Sequence, residues 1–192
     1  MKRLLNVPNL VTFSRIVLIP LIIGLYYVPD AWLSWEAKNF AATSVFVIAA
    51  ITDWLDGYLA RRLNQMSAFG AFLDPVADKL IVAGALIVLL QLDRVDALVG
   101  MIVIGREIAI SALREWMAKV GQAKSVAVAF IGKLKTVSQM VAIPLLLYHD
   151  TLFDLVDCQW LGTVLINIAA VLTVVSMLYY LRKALPHAGM RS

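Results

Sequence analysis

The sequence predicts an all-α integral membrane protein with six transmembrane helices. Hydrophobic residues make up 61% of the 192 residues and charged residues 16%, whereas soluble chains average roughly 45–50% apolar and roughly 25% charged residues. The apolar residues form continuous runs rather than an alternation of period two, which indicates helices and not a β-barrel. Because Lys and Arg are dispersed between these runs, the net charge of +4 favours a membrane surface and anionic substrates over a nucleic-acid partner.

Six apolar stretches are long enough to cross a bilayer, for which about 20 residues are needed. We place them at Leu10–Val28, Phe40–Arg61, Phe72–Leu92, Ala97–Met117, Phe130–His149 and Trp160–Leu181. An even number of spans puts both termini on one side of the membrane. The chain has no repeat and no composition shift between these spans, so we expect a single six-helix domain over residues 1–192.

The basic residues are distributed unevenly between the two predicted sides of the membrane. All of the 17 Lys and Arg residues except Lys38 and Arg94 fall on the side that holds the termini. Positively charged residues are retained on the cytoplasmic side. We therefore expect the termini, and the loops near residues 62–70 and 118–130, to face the cytoplasm.

Four aspartates lie where the second predicted span ends and the third begins. Asp53 and Asp56 are three residues apart and share one helix face, and Asp74 and Asp78 share another at a spacing of four. The short turn from Arg62 to Phe69 makes the two helices antiparallel neighbours. We therefore expect the four carboxylates to meet at the cytoplasmic rim.

Carboxylates gathered in this way require neutralisation. An ionised side chain in the middle of a membrane helix costs roughly 2.5–3.5 kcal/mol, and like charges cluster only with protonation or cations. Carboxylate oxygens without nearby His or Cys favour Mg²⁺ or Mn²⁺. Two such ions about 3.5–4 Å apart stabilise the attacking and leaving oxygens in phosphoryl chemistry.

Two small residues beside these aspartates, Gly57 and Ala60, would let a nucleotide lie against the helix. The alternative to a metal site is that the aspartates only cap helix ends or pair with Arg61 and Lys79. The cost of charge in the membrane makes the metal site the preferred interpretation.

Residues 53–78 read D-x-x-D-G-x-x-A-R, then eight residues, then G-x-x-x-D-x-x-x-D. This string resembles the signature of the CDP-alcohol phosphotransferase family, and every position of the signature is filled. The resemblance implies the six-helix fold of that family and a phosphotransferase activity. It also implies that Asp53, Asp56, Asp74 and Asp78 hold divalent metal, and that Asp78 is the base for the acceptor hydroxyl. The residues that it implies for CDP binding are Asp56, Gly57, Ala60, Arg61 and Gly70.

Three further segments, Pro8–Arg15, Arg106–Trp116 and Gly132–Thr136, resemble bacterial members of this family that use glycerol 3-phosphate. The resemblance implies transfer of a phosphatidyl group from CDP-diacylglycerol to glycerol 3-phosphate, which gives phosphatidylglycerol phosphate and CMP. This reaction belongs to phosphatidylglycerol and cardiolipin biosynthesis. A homodimer in the bacterial inner membrane is also implied. The first segment supplies the supporting residues Asn9, Thr12 and Arg15.

The basic residues of the later segments suit a phosphate-bearing acceptor. Arg106 lies about ten residues inside the fourth predicted span, where a lone guanidinium is costly unless it lines a wet cavity. Arg114, Lys133 and Lys135 lie on the same side, and Arg binds phosphate oxygens well. We expect these four residues to seat the acceptor phosphate. The alternative is that the lysines are ordinary cytoplasmic flanks and that Arg106 pairs with Glu107 or an aspartate.

Other functions remain open at the level of sequence. The same chemistry could use serine, an inositol phosphate or a second phosphatidylglycerol as acceptor. A metal-ion or proton-coupled transporter is a more remote alternative, because carboxylates within membranes often mark ion paths. The aspartates gather at one interface rather than at the midplane, which favours the enzyme. No Ser, Cys or His occupies a motif position, so we expect direct transfer without a covalent intermediate.

Overall fold

A computed structural model of the chain describes residues 7–63, 68–121, 130–152 and 155–187, with side chains described for residues 12–53, 70, 72–121, 131–152 and 155–186. These residues form six α-helices. They are α1 (Val7–Leu25), α2 (Trp35–Leu63), α3 (Ala68–Gln91), α4 (Ala97–Lys119), α5 (Phe130–Tyr148) and α6 (Cys158–Ala184). Each helix covers one predicted span, and most of their ends lie within a few residues of the predicted ones.

Capping aspartates explain where two of the helices, α4 and α6, begin. The Asp96 carboxylate accepts a hydrogen bond from the Leu98 backbone N–H at 2.8 Å, and Asp157 accepts one from Trp160 at 2.9 Å. These aspartates satisfy backbone donors at the starts of α4 and α6 that no helical carbonyl can reach. Between α5 and α6 a two-stranded antiparallel hairpin pairs β1 (Thr151–Leu152) with β2 (Val156–Asp157), and the sequence analysis did not predict it.

The helices pack around a main core to which all six contribute, and a smaller buried cluster of Ile110, Met117, Tyr180 and Ala184 joins α4 to α6. Helix α5 packs along α6 and also against α2, while α1 packs between α2 and α3. The core contains fully buried aliphatic side chains, among them Leu86, Leu89, Ile143 and Leu146. At Gly162 of α6, an added Cβ would lie 2.7 Å from the Leu146 side chain, so the close approach of α5 and α6 depends on this glycine.

Large apolar side chains also cover the outside of the helices. They include Val17, Phe40, Ile51, Phe72, Ile108, Val137 and Val171. Exposed apolar patches of this extent indicate a surface that contacts lipid or another protein. By length and composition alone, one helix in the described part of the chain, Cys158–Ala184, qualifies as a membrane-span candidate, and Thr12–Leu25 is a shorter apolar helix. Helices α2 to α5 do not qualify over their described residues. Three or more charged residues lie in each of α2, α3 and α4, and two lie in α5.

Candidate active site

Three of the four predicted aspartates converge on one arginine. Arg15 on α1 is 1% exposed, and its Nη1 atom donates to Oδ1 of Asp53 and to Oδ1 of Asp78. Its Nη2 atom lies 3.2 Å from Oδ1 of Asp74. Helices α1, α2 and α3 therefore contribute to a single charged cluster. The sequence predicted α2 and α3 as direct neighbours, whereas α1 packs between them and brings three of the aspartates together through Arg15.

Thr12 completes this cluster from the same face of α1 as Arg15, one helical turn earlier. Its hydroxyl donates to Oδ1 of Asp74 at 2.5 Å. The side chains of Asp53, Asp74 and Asp78 are each 43–44% exposed, so the cluster opens to the outside. One guanidinium balances one of three negative charges, and the remaining charge favours binding of cations.

Several predicted site residues lie on described helices, but their side chains lie outside the described residues. Asp56, Gly57, Ala60 and Arg61 belong to α2, and Asn9 belongs to α1. Gly70 is buried in α3. The predictions for these side chains stay predictions.

A cavity of about 270 Å³ lies beside the cluster, between α3, α4 and α5. Its lining carries positive charge from Lys79, Arg106, Arg114 and Lys135. Asp78 also lines it, so this carboxylate belongs both to the Arg15 cluster and to the cationic cavity. The predicted base and three of the four predicted phosphate-binding residues thus border one space.

Helix α6 supports the two arginines of the cavity. Arg106 is 7% exposed and donates from Nη2 to the Ser176 hydroxyl at 2.9 Å. The guanidinium carbons of Arg106 and Arg114 lie 5.9 Å and 5.4 Å from the centroid of the Tyr180 ring, which is within cation–π range. The Nε atoms of both arginines are buried without a hydrogen-bond partner among the described residues. These donors are available to an anion in the cavity.

Lys135 on α5 is 2% exposed, and its Nζ atom donates to Oε1 of Glu107 on α4. Arg106 makes a longer contact with the same oxygen, at 3.4 Å. Glu107 therefore bridges α4 to α5 rather than neutralising Arg106 alone.

Lys133 requires a correction, because it is exposed and does not line the cavity. Two residues along a helix correspond to a rotation of about 200°. Lys133 and Lys135 therefore face opposite sides of α5. Of the two lysines, only Lys135 lies at the predicted phosphate-binding site.

On its other side, the aspartate cluster borders a largely apolar cavity of about 300 Å³. Phe46, Ala50 and Met140 are among the residues that line it, together with Asp53 and Asp78. Met140 also lines the cationic cavity. The cationic cavity and this apolar space therefore share the Asp78 carboxylate.

Comparison with known proteins identifies the family. Residues 5–175 match the family model described as CDP-alcohol phosphatidyltransferase. The chain belongs to this family. It is 47% identical over 181 residues, which cover 93% of this chain and 94% of the relative, to the CDP-diacylglycerol--glycerol-3-phosphate 3-phosphatidyltransferases of Shigella flexneri serotype 5b (strain 8401) and Escherichia coli (strain K12). The family prediction is confirmed.

CDP-alcohol phosphatidyltransferases generally use divalent metal ions, and the aspartate cluster fits such ions in donor chemistry and in charge. Its ligands are carboxylate oxygens, which hard divalent cations prefer. Within the described part of the chain, no group of three His, Cys, Asp or Glu side chains is arranged to hold a metal ion. The three described aspartates instead share Arg15 as their counter-ion.

Sequence analysis missed several residues that shape this family member's site. Glu107 was named only as an alternative partner of Arg106, and no local rule relates it to Lys135 on a different helix. Tyr180 and Ser176 lie in an apolar run and carry no signal of their own. Gln139 was detectable in principle, because it stands four residues after Lys135 and so shares its helix face.

Proposed function

We propose that the chain transfers the phosphatidyl group of CDP-diacylglycerol to glycerol 3-phosphate, with phosphatidylglycerol phosphate and CMP as products. The observation that carries this proposal is the position of Asp78, which borders the Arg15 cluster and the cationic cavity at once. A metal-binding carboxylate cluster and an anion-binding cavity that share one carboxylate suit a phosphoryl transfer to a phosphorylated alcohol. The names of the relatives support the same reaction.

Asp78 acts as the base in this proposal. Its carboxylate takes the proton from the primary hydroxyl of the acceptor. The acceptor oxygen then forms a bond to the lipid-linked phosphorus of CDP-diacylglycerol, and the bond from that phosphorus to CMP breaks. Arg15 orients Asp78 through its Nη1 atom and so fixes the position of the base.

The acceptor phosphate binds to Arg106, Arg114 and Lys135. Their charges point to an anionic ligand, and the unpartnered Nε atoms of both arginines supply donors that suit phosphate oxygens. Glu107 holds Lys135 in place, and Tyr180 holds the arginines.

The metal ions, Mg²⁺ or Mn²⁺ and two in number, would be held by Asp53, Asp56, Asp74 and Asp78. When bound, they would neutralise charge on the pyrophosphate and on the leaving CMP. For the CDP moiety we propose the residues that the family signature implies, namely Asp56, Gly57, Ala60, Arg61 and Gly70. Asn9 and Thr12 would support the cluster from α1, and Thr12 already contacts Asp74.

We further propose that the six helices form one catalytic domain that spans the bacterial inner membrane six times. The termini and the aspartate cluster would face the cytoplasm, as the distribution of Lys and Arg favours. The protein would act as a homodimer, as the family resemblance implies.

An acceptor screen tests this function. Purified protein would be incubated with CDP-diacylglycerol and glycerol 3-phosphate, serine, an inositol phosphate or phosphatidylglycerol, and CMP would be measured with Mg²⁺, with Mn²⁺ and with chelator. We expect CMP release with glycerol 3-phosphate, and none with chelator. Release with another acceptor alone would assign a different acceptor. Absence of release with every acceptor would reject the enzymatic function and favour a transporter.

A further inference from the structure

Gln139 lies in the wall of the cationic cavity and takes no part in the transfer proposed for Asp78 and the basic residues. It stands one helical turn after Lys135 on α5, and both side chains line the cavity together with Asp78. The next residue, Met140, lines both this cavity and the apolar one beside Asp53. Along α5, Gln139 therefore lies between Lys135, which we propose to bind the acceptor phosphate, and Met140, which lines both cavities.

The side-chain amide of Gln139 lacks a partner for its oxygen. The residue is 4% exposed, and its Oε1 atom is buried without a hydrogen-bond partner among the described residues. A buried carbonyl oxygen without a donor lowers stability. A donor that arrives with the ligand, or with water, would satisfy it.

Several other polar groups that line the cavity already make hydrogen bonds within the protein. Lys135 donates to Glu107, and the hydroxyls of Ser111 and Thr136 donate to backbone carbonyls of the preceding turn at 2.7 Å and 2.9 Å. The arginines can only donate. The Oε1 atom of Gln139 is thus a neutral acceptor that receives no hydrogen bond from the described residues.

We infer that Gln139 accepts a hydrogen bond from the secondary hydroxyl of the acceptor and thereby selects glycerol 3-phosphate over phosphorylated alcohols that lack this group. The inference rests on the proposed function. The acceptor's phosphate is bound by the cationic residues and its primary hydroxyl by Asp78, so the hydroxyl on the middle carbon remains to be bound. Gln139 lines the same cavity as Asp78 and Lys135.

The test compares glycerol 3-phosphate with 3-hydroxypropyl phosphate, which has the same phosphate and primary hydroxyl but no secondary hydroxyl. We expect the unsubstituted protein to prefer glycerol 3-phosphate by about 10-fold or more in kcat/KM, the value of one neutral hydrogen bond. In Gln139→Met, which keeps the bulk without the carbonyl, the preference should fall to about two-fold. The loss should appear with glycerol 3-phosphate, while kcat/KM for 3-hydroxypropyl phosphate stays close to that of the unsubstituted protein.

Two further variants make the result decisive. Gln139→Asn keeps the amide oxygen but shortens the side chain by one methylene, so it should also reduce the preference for glycerol 3-phosphate. This variant provides the test if Gln139→Met does not fold. Ser138→Ala is the matched control, because Ser138 is buried on the same helix but does not line the cavity, and it should keep the full preference.

The outcomes separate this inference from the proposed function. CMP release with glycerol 3-phosphate but no preference in the unsubstituted protein would reject the role of Gln139 and leave the function standing. A preference that persists in Gln139→Met, or an equal loss with both acceptors, would also reject it. Failure of the unsubstituted protein to release CMP with either acceptor would reject the proposed function itself.

Discussion

Arg15 is the residue on which the charge balance of the site depends. It is buried in α1 and serves as counter-ion to Asp53, Asp74 and Asp78 at once. A single positive charge cannot balance three carboxylates, so the cluster stays electronegative while it is held together. This combination suits a site that must keep its shape without metal and still attract divalent cations.

The carboxylates of this site could be predicted from the sequence, but the central role of Arg15 could not. The spacing within α2 and α3 fixes which aspartates share a face, and a short turn was expected to make the two faces meet. No comparable local rule relates α1 to α3, because their contact depends on the packing of the whole bundle. Arg15 was therefore predicted only as a supporting residue.

Replacing Arg15 by Ala should make the stability of the protein depend strongly on divalent cations. Without the guanidinium, three carboxylates repel one another unless a metal ion neutralises them. We expect the melting temperature of Arg15→Ala in chelator to fall by at least about 3 °C more than in Mg²⁺, where about 2–4 °C corresponds to 1 kcal/mol for a chain of this size. Thermal unfolding of the detergent-solubilised protein measures this difference.

Arg15→Lys is the control, since it keeps the charge but loses the second donor group and should show a smaller dependence on metal. An equal loss of stability in Mg²⁺ and in chelator would show that Arg15 acts by packing and not as a counter-ion.

Replacing Asp78 by Asn should abolish most of the turnover. The amide cannot accept the proton of the acceptor hydroxyl, so we expect the rate of CMP release to fall by about 10²-fold or more. Asp93→Asn provides a matched control. Asp93 lies in the loop after α3 with φ of 54°, which Asn tolerates, and its turnover should be unchanged. Near-normal turnover in Asp78→Asn would remove the assignment of Asp78 as base.

At the scale of elements, the cationic cavity depends on how α4 packs against α3 and α6, and on the ion pair between Glu107 and Lys135 that links α4 to α5. Arg106 and Arg114 are eight residues apart on α4, so they lie near one face of it, and the Tyr180 ring of α6 is within cation–π range of both. The sequence located Arg106, because a guanidinium within a predicted membrane span needs polar surroundings, and Arg114, because it lies on the same side and Arg binds phosphate oxygens well. It did not reveal Tyr180, since an aromatic residue in an apolar run more commonly packs in the core.

Replacing Tyr180 by Leu should weaken binding of the acceptor more than it slows the reaction. Loss of the ring removes a cation–π contact from each arginine, and each such contact contributes about 0.5–2 kcal/mol. We expect KM for glycerol 3-phosphate to rise by about 5-fold or more while kcat changes by less than about two-fold. Initial rates of CMP release at saturating CDP-diacylglycerol measure both constants.

Tyr180→Phe keeps the ring and should keep KM near that of the unsubstituted protein. A rise in KM that is equal in the Phe and Leu variants would show that the ring does not support the arginines.

At the scale of the whole molecule, the two ends of the helical bundle differ in how the charges of their basic residues are paired. At the end with the aspartate cluster, Arg and Lys surround cavities and offer unpartnered donors. At the other end, Lys38 pairs with Asp30 at 2.5 Å, and Arg94 donates to the carbonyls of Leu146 and Leu147 at 3.1 Å and 2.8 Å. The only two basic residues predicted for that side thus have partners within the protein.

Most of the architecture followed from the sequence, because long apolar runs predict helices and their approximate ends. The hairpin between α5 and α6 was missed, since strands of two residues have no periodicity to detect. The contact pattern among the six helices was also beyond prediction. It depends on small local features such as Gly162, whose lack of a side chain lets α6 approach Leu146.

The proposed orientation in the membrane can be tested with introduced cysteines. Cys158 is the only cysteine of the sequence and is buried, so the background of labelling should be low. Trp32 lies in the loop between α1 and α2 and is 83% exposed, whereas Lys119 ends α4 with 68% of its side chain exposed. A membrane-impermeant maleimide added to intact spheroplasts should label Trp32→Cys but not Lys119→Cys, because the basic loops stay in the cytoplasm. Permeabilised cells should label both variants, which controls for reactivity. Labelling of Lys119→Cys in intact spheroplasts would contradict the proposed orientation, because it would place the end of α4, and the aspartate cluster with it, outside the cytoplasm.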